Sequence, residues 1–193
     1  MDPLSVALTM FGLKGVVSTV AGWRSGKTTA AELHQLAVRY WGCVVMEIAI
    51  NTANFKTSVD HNDLAEDGDG VWPIVDFTFS DALMPELAKL APQPNVVVGA
   101  ARVVAMQRQL AEMAALDRST ASLPAAQFSA SRVSIRTAWI ENARKLLPMF
   151  FSAVDELKSA LATEGRNAFG DEGWQQIEAS VLPMPALGAL MLR

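Results

Sequence analysis

The sequence is poor in the side chains that react, ligate metals or form cross-links. One cysteine and two histidines in 193 residues exclude an internal disulfide and a multi-cysteine metal site. Lysine and arginine number 16 against 20 aspartates and glutamates, for a net charge of −4. That balance supplies no basic field to gather phosphates, so duplex nucleic acid is not an expected ligand. Charged residues make up only 19%, and there is no nucleophile elbow and no carboxylate pair in a setting suited to acid–base work. The apolar opening follows Asp2 with no basic stretch ahead of it. No secretory signal is therefore expected, and the chain is read as cytoplasmic or membrane-associated.

What is present is apolar. Hydrophobic residues reach 51% and the mean hydropathy is +0.22, which excludes a disordered chain and leaves apolar surface for a membrane, a protein partner or a second copy. The length suits a single domain over 1–193. Cys43, in an apolar run, reads as a buried, inert thiol.

The opening, MDPLSVALTMFGLKGVVSTVAGW, starts with Asp2 as a helix N-cap and Pro3 at the first helical position. From Leu4 to Trp23 the only charge is Lys14. Twenty residues in a helix would span roughly 30 Å, the thickness of a hydrocarbon core. The lysine makes a permanent span costly, whereas Ser5, Thr9, Gly12 and Thr19 give a small-residue stripe for close helix packing. Leu4, Leu8, Phe11, Leu13, Val17, Val20 and Trp23 are the candidate membrane or self-association residues. Met1-Asp2-Pro3-Leu4-Ser5 followed by this glycine-dotted segment resembles the start of HeLo-like N-terminal domains, over about 25 residues. That resemblance implies a helical bundle whose first helix disrupts membranes, as a cell-death-like effector does.

A second resemblance competes with it. Ala21-Gly22-Trp23-Arg24-Ser25-Gly26-Lys27-Thr28 spells a P-loop and resembles P-loop NTPases of the partitioning-ATPase kind. That would imply ATP or GTP with Mg²⁺, with Gly22, Gly26, Lys27 and Thr28 on the phosphates and Asp76 behind the metal. It would also require an α/β fold with strands near 15–20, 43–50, 71–76 and 95–98. Pro73 inside the third of these counts against it. The periodicities count further. Val133, Ile140, Leu147, Val154 and Leu161, with Ala143, Phe150 and Leu157 interleaved and only Arg136 breaking the pattern, form a heptad seam. Val96, Gly99, Val103, Met106, Leu110 and Met113 repeat it. Leu33, Ala37, Tyr40, Trp41, Val44, Ile48 and Phe55 share a helical face, with Glu32, Arg39, Glu47 and Asn54 elsewhere.

The expected fold is therefore all-α: a single-domain bundle of about five helices at 3–22, 27–56, 80–91, 95–117 and 130–164, with a short helix near 171–181. Pro148 should kink the longest near Arg144. Residues 57–72 form an acidic loop, with Asp60, His61, Asp63, Glu66, Asp67 and Asp69 off the spacing of a calcium loop, and 183–193 an apolar tail. Ser25 or Thr28 would cap the second helix with Glu32 nearby. Trp72, Phe77 and Phe79 anchor the short helix that follows them. The favoured function is a non-enzymatic module acting through its apolar N-terminal helix on a membrane or on copies of itself. No cofactor is expected; a nucleotide-binding protein and a purely structural scaffold are the alternatives.

Overall fold

The computed structural model describes residues 29–64, 70–90, 94–121 and 125–181, and these are all helical apart from Thr29 and one connection, residues 70–77. The helices are α1 (Ala30–Leu64), α2 (Thr78–Leu90), α3 (Pro94–Ala121) and α4 (Ala125–Val181). The expected helix at 3–22, the segment 15–20, the apolar residues 4–23 and the motif residues Gly22, Gly26, Lys27 and Thr28 lie outside the described residues, as does the tail 183–193.

A capping box starts α1. The Thr29 N–H donates to Glu32 Oε2 at 2.7 Å, and the Glu32 N–H donates back to Thr29 Oγ1 at 3.2 Å, which satisfies two of the orphan donors of the first turn. The backbone hydrogen bond from Thr29 holds the Glu32 carboxyl below its ordinary range. The cap is thus Thr29, one residue beyond the expected Thr28. With no proline to stop it, α1 runs 35 residues to Leu64. The expected loop at 57–72 is therefore helical over its first half.

The central helix is α1. Leu36, Val38, Tyr40, Trp41, Cys43, Val44, Val45 and Ile48 are all buried, a wider face than the sequence pattern showed. Burial pushes the Cys43 thiol up to about 12, so the thiolate is suppressed and the group is inert. Along α1, α4 runs antiparallel: Phe55 meets Phe150 with ring centroids 6.4 Å apart, and His34 Nε2 lies 2.9 Å from Glu164 Oε2. α3 runs in the same direction as α1, its Gln107 amide donating to the Ile48 carbonyl and to Thr52 Oγ1, both at 3.0 Å.

The α4 seam is present from Ile140 to Leu161, all its members buried together with Trp139, while Val133 is exposed. Helical backbone continues through Pro148, and the one residue inside α4 that leaves helical geometry is Gly170 (φ 74°, ψ 168°). Helices expected at 130–164 and 171–181 are one run interrupted there. The chain turns so that the Trp174 indole lies on Gly165, where an added Cβ would come within 2.1 Å of the ring. Only glycine admits that approach.

The α/β alternative required strands that are not formed. Residues 43–50 lie inside α1, 95–98 lie inside α3, and 71–76 run without a strand partner among the described residues.

Candidate functional site

The least regular described part of the chain, residues 70–77, is also where the polar chemistry converges. It runs along the second half of α1, and asparagines of that helix hold its backbone. Asn62 Nδ2 donates to the Val71 carbonyl at 2.6 Å, and Asn54 Nδ2 to the Ile74 carbonyl at 2.6 Å. Asn51 grips Asp76 from both sides, its Nδ2 donating to the Asp76 carbonyl at 2.7 Å and its Oδ1 accepting the Asp76 N–H at 3.1 Å. From Asn62 to Asn51 the helix rises roughly 16 Å. The five steps from Val71 to Asp76 cover the same roughly 16 Å only if that chain is fully extended. The segment is therefore an extended strap, antiparallel to α1, with one irregularity between Val71 and Ile74, whose carbonyls both face that helix.

Its first end is pinned by Asp117 of α3, which is 1% exposed. One oxygen, Oδ2, accepts the Trp72 indole N–H at 2.8 Å, the Trp139 indole N–H at 3.0 Å and Arg136 Nε at 3.2 Å. Arg136 was the interruption in the α4 seam; its guanidinium also sits 5.7 Å from the Trp72 ring centre. Gly70 makes room for it, since a Cβ there would lie 2.6 Å from Arg136 Nη2. A buried carboxylate is tolerable when charge and donors meet it in this way.

The other end of the strap runs into α2. Phe77 occupies the N-cap position, its carbonyl accepting the Asp81 N–H at 2.9 Å, and offers no side-chain acceptor. Asp76 Oδ1 takes the Thr78 N–H at 2.9 Å. The next two amides are capped from another helix: Glu47 of α1 accepts the Phe79 N–H at 2.7 Å and the Ser80 N–H at 2.8 Å, and the Ser80 hydroxyl as well. Glu47, expected on the polar side of α1, is instead 5% exposed. Burial raises its carboxyl above the ordinary range, outweighing the hydrogen bonds from Ser80 and Phe79 that oppose the shift. Asp76, the candidate Mg²⁺ residue of the alternative reading, is here a helix-capping residue on an irregular strap.

Between the strap and α3 lies an open groove of about 480 Å³. Its floor is Trp72, Pro73, Val75 and Phe77 against Ala111, Ala114 and Ala115, with Arg108, Glu112 and Arg118 at the rim. Arg108 stacks 4.5 Å from the Phe77 ring centre and pairs with Asp81. Ile74 on the strap and Leu116 on α3 are exposed, at 74% and 55%. Among the described residues no group of three or more His, Cys, Asp or Glu could hold a metal ion, and no helix is long and apolar enough to cross a membrane. The arrangement suits holding a chain, with an apolar floor and unused backbone groups.

Fold and site together define an all-α helical bundle protein carrying one extended strap. The chain matches no family model, no curated protein and no solved structure.

Of the expected aromatic anchors, Phe77 and Phe79 stand at the start of the short helix while Trp72 holds the other end of the strap to Asp117, and all three pack against the core. It missed Asp117, Gln107, Glu47 and the asparagine row. The available signal was spacing: Ala100, Gln107 and Ala114, and Val103, Leu110 and Asp117, are successive heptad positions on the face that α3 buries.

Proposed function

We propose that this chain is a non-enzymatic, single-domain helical module that associates with a membrane or with copies of itself through its apolar N-terminal segment, residues 1–23. The observation that carries the reading is the run from Leu4 to Trp23 with Lys14 as its only charge. Such a run gains free energy only by leaving water, at roughly 25 cal/mol per Å² buried. Two features of the described body support it. The core around α1 is filled, with Trp139, Phe55, Phe150 and Ile48 fully buried. The buried polar side chains Glu47, Asn51 and Asp117 are spent on capping α2 and holding the strap. The apolar opening is the membrane- or self-contacting element on this reading, with Leu8, Phe11, Leu13 and Val17 as its contact residues and the tail 183–193 as a second apolar element. On this reading the module is cytoplasmic or membrane-associated, and it works by exposing residues 1–23 in one state and covering them in another.

Dye leakage from, and co-sedimentation with, phosphatidylcholine–phosphatidylserine vesicles tests it. The full chain is expected to bind and release dye, and Phe11→Asp to lose both. Leakage and binding that persist unchanged in Phe11→Asp and after removal of residues 1–23 refute the proposal.

A further inference from the structure

The strap has one edge on α1 and one edge without a partner among the described residues. The Val71 and Ile74 carbonyls both face α1, so the two-residue alternation of extended chain breaks once between them. Beyond that break the Ile74 carbonyl and both backbone groups of Asp76 face α1, and the residue between them points the opposite way. The N–H and C=O of Val75 therefore point away from α1, and neither has a partner among the described residues. The Phe77 N–H and the Pro73 carbonyl, two positions to either side, are unpartnered in the same sense. An exposed edge of this kind is a template for pairing with another chain.

We propose that residues 73–77 pair antiparallel with the same residues of a second copy of this chain, about a two-fold axis at Val75. The strap's own donors and acceptors select this occupant. In that register each Val75 N–H donates to the Val75 carbonyl of the other copy, and each Phe77 N–H donates to the Pro73 carbonyl of the other. The two remaining positions of the ladder would need a donor at residue 73 and an acceptor at residue 77. Pro73 has no N–H, and the Phe77 carbonyl already accepts the Asp81 N–H at 2.9 Å. The missing donor thus meets the acceptor already in use, and no group in the ladder is left wanting. Ile74 falls opposite Asp76, so no like charges face each other. The contact is isologous, as a closed two-fold pair requires, and it covers Ile74, the most exposed large hydrophobic side chain of the described residues at 74%. This surface is separate from residues 1–23 and does not depend on their action.

Sedimentation velocity of the full chain over a concentration series tests it. Val75→Pro deletes the two central donors, keeps an extended backbone and removes no hydrogen bond among the described residues, so dimer affinity is expected to fall about tenfold or more. Ile74→Lys, at a site exposed in the monomer, should weaken the dimer similarly and decides the matter if Val75→Pro does not fold. Phe11→Asp should leave this dimer intact. A dimer unchanged in Val75→Pro or Ile74→Lys, or weakened only by Phe11→Asp, overturns the proposal. So does a wild-type chain that stays monomeric at high concentration. If its Val75 amide is then protected from hydrogen exchange, another segment or another protein covers the edge.

Discussion

Asp117→Ala tests whether the polar cluster at the head of the strap is structural. The carboxylate is the common acceptor of two indole N–H groups and one guanidinium. Trp139 is 0% exposed, so its N–H cannot turn to water; an orphaned buried donor of this kind costs about 1–3 kcal/mol. Trp72 is half-buried and recovers part of its loss by hydration. The Arg136 side chain is 29% exposed and, screened by solvent, contributes at most about 1 kcal/mol. Together with the gap left by the side chain, the loss is about 3–4 kcal/mol. Urea unfolding followed by tryptophan fluorescence should show the midpoint falling by more than about 1 M. Trp139→Phe in the Asp117→Ala background should then cost less than it does in the wild type, by about 1 kcal/mol or more. A loss below about 1 kcal/mol for Asp117→Ala, or strict additivity of the two substitutions, refutes the assignment.

Other outcomes follow from single residues. Glu47 titrates above its ordinary value of 4.5 in the folded protein because it is buried. Its stabilising contribution is therefore complete below pH 4.5 and is lost as pH rises through the folded-state value. The urea midpoint of wild type should decline over that window relative to that of Glu47→Gln, and parallel pH profiles would count against the burial argument. Gly165→Ala should cost about 3 kcal/mol, because the Trp174 ring must move as a whole. Gly170→Ala, with open space but a backbone at φ 74° and ψ 168° that is essentially restricted to glycine, should cost about 1–3 kcal/mol; thermal melts showing no loss for either substitution would sink that account. Titration of ATP and GTP with Mg²⁺ should give no saturable binding that depends on Lys27, and equilibrium dialysis of Lys27→Ala beside the wild type checks this.

The helical class was legible because the apolar spacing of Ile140 to Leu161, and of Ala37 to Phe55, has no use in a strand. Helix ends were less so. Residues 57–64 carry Asp60, Asn62 and Asp63, residue types that favour loops, yet α1 continues through them because Lys56 pairs with Asp60 and Asn62 holds both the Ser58 and Val71 carbonyls. One seam of α3 was read a single residue off: Val103 and Leu110 are buried as expected, but Ala100, Gln107 and Ala114 take the places expected for Gly99, Met106 and Met113. Gln107 and Asp117 are polar by type and buried by role, so a pattern that counts only apolar residues shifts to Met106 and Met113, which are half-buried. The interruption at Arg136 had the same origin: a charge inside a heptad seam looks like a fault until the opposing carboxylate is known to sit at Asp117.

The strap explains why the central helix carries so many polar residues along its second half. An extended chain laid on a helix cannot use a ladder, so its carbonyls and amides need side-chain partners, and asparagine supplies a donor and an acceptor on one short stem. Asn51, Asn54 and Asn62 meet that need at the rise of the extended chain, while Glu47 does the same for the start of α2. All these partners lie on one side. Satisfying Ile74 and Asp76 from α1 leaves the backbone groups of Val75 between them pointing outward, so the stability of the monomer and the availability of the Val75 edge come from the same row of side chains. Loosening the row, as Asn51→Ala would, should therefore weaken both together.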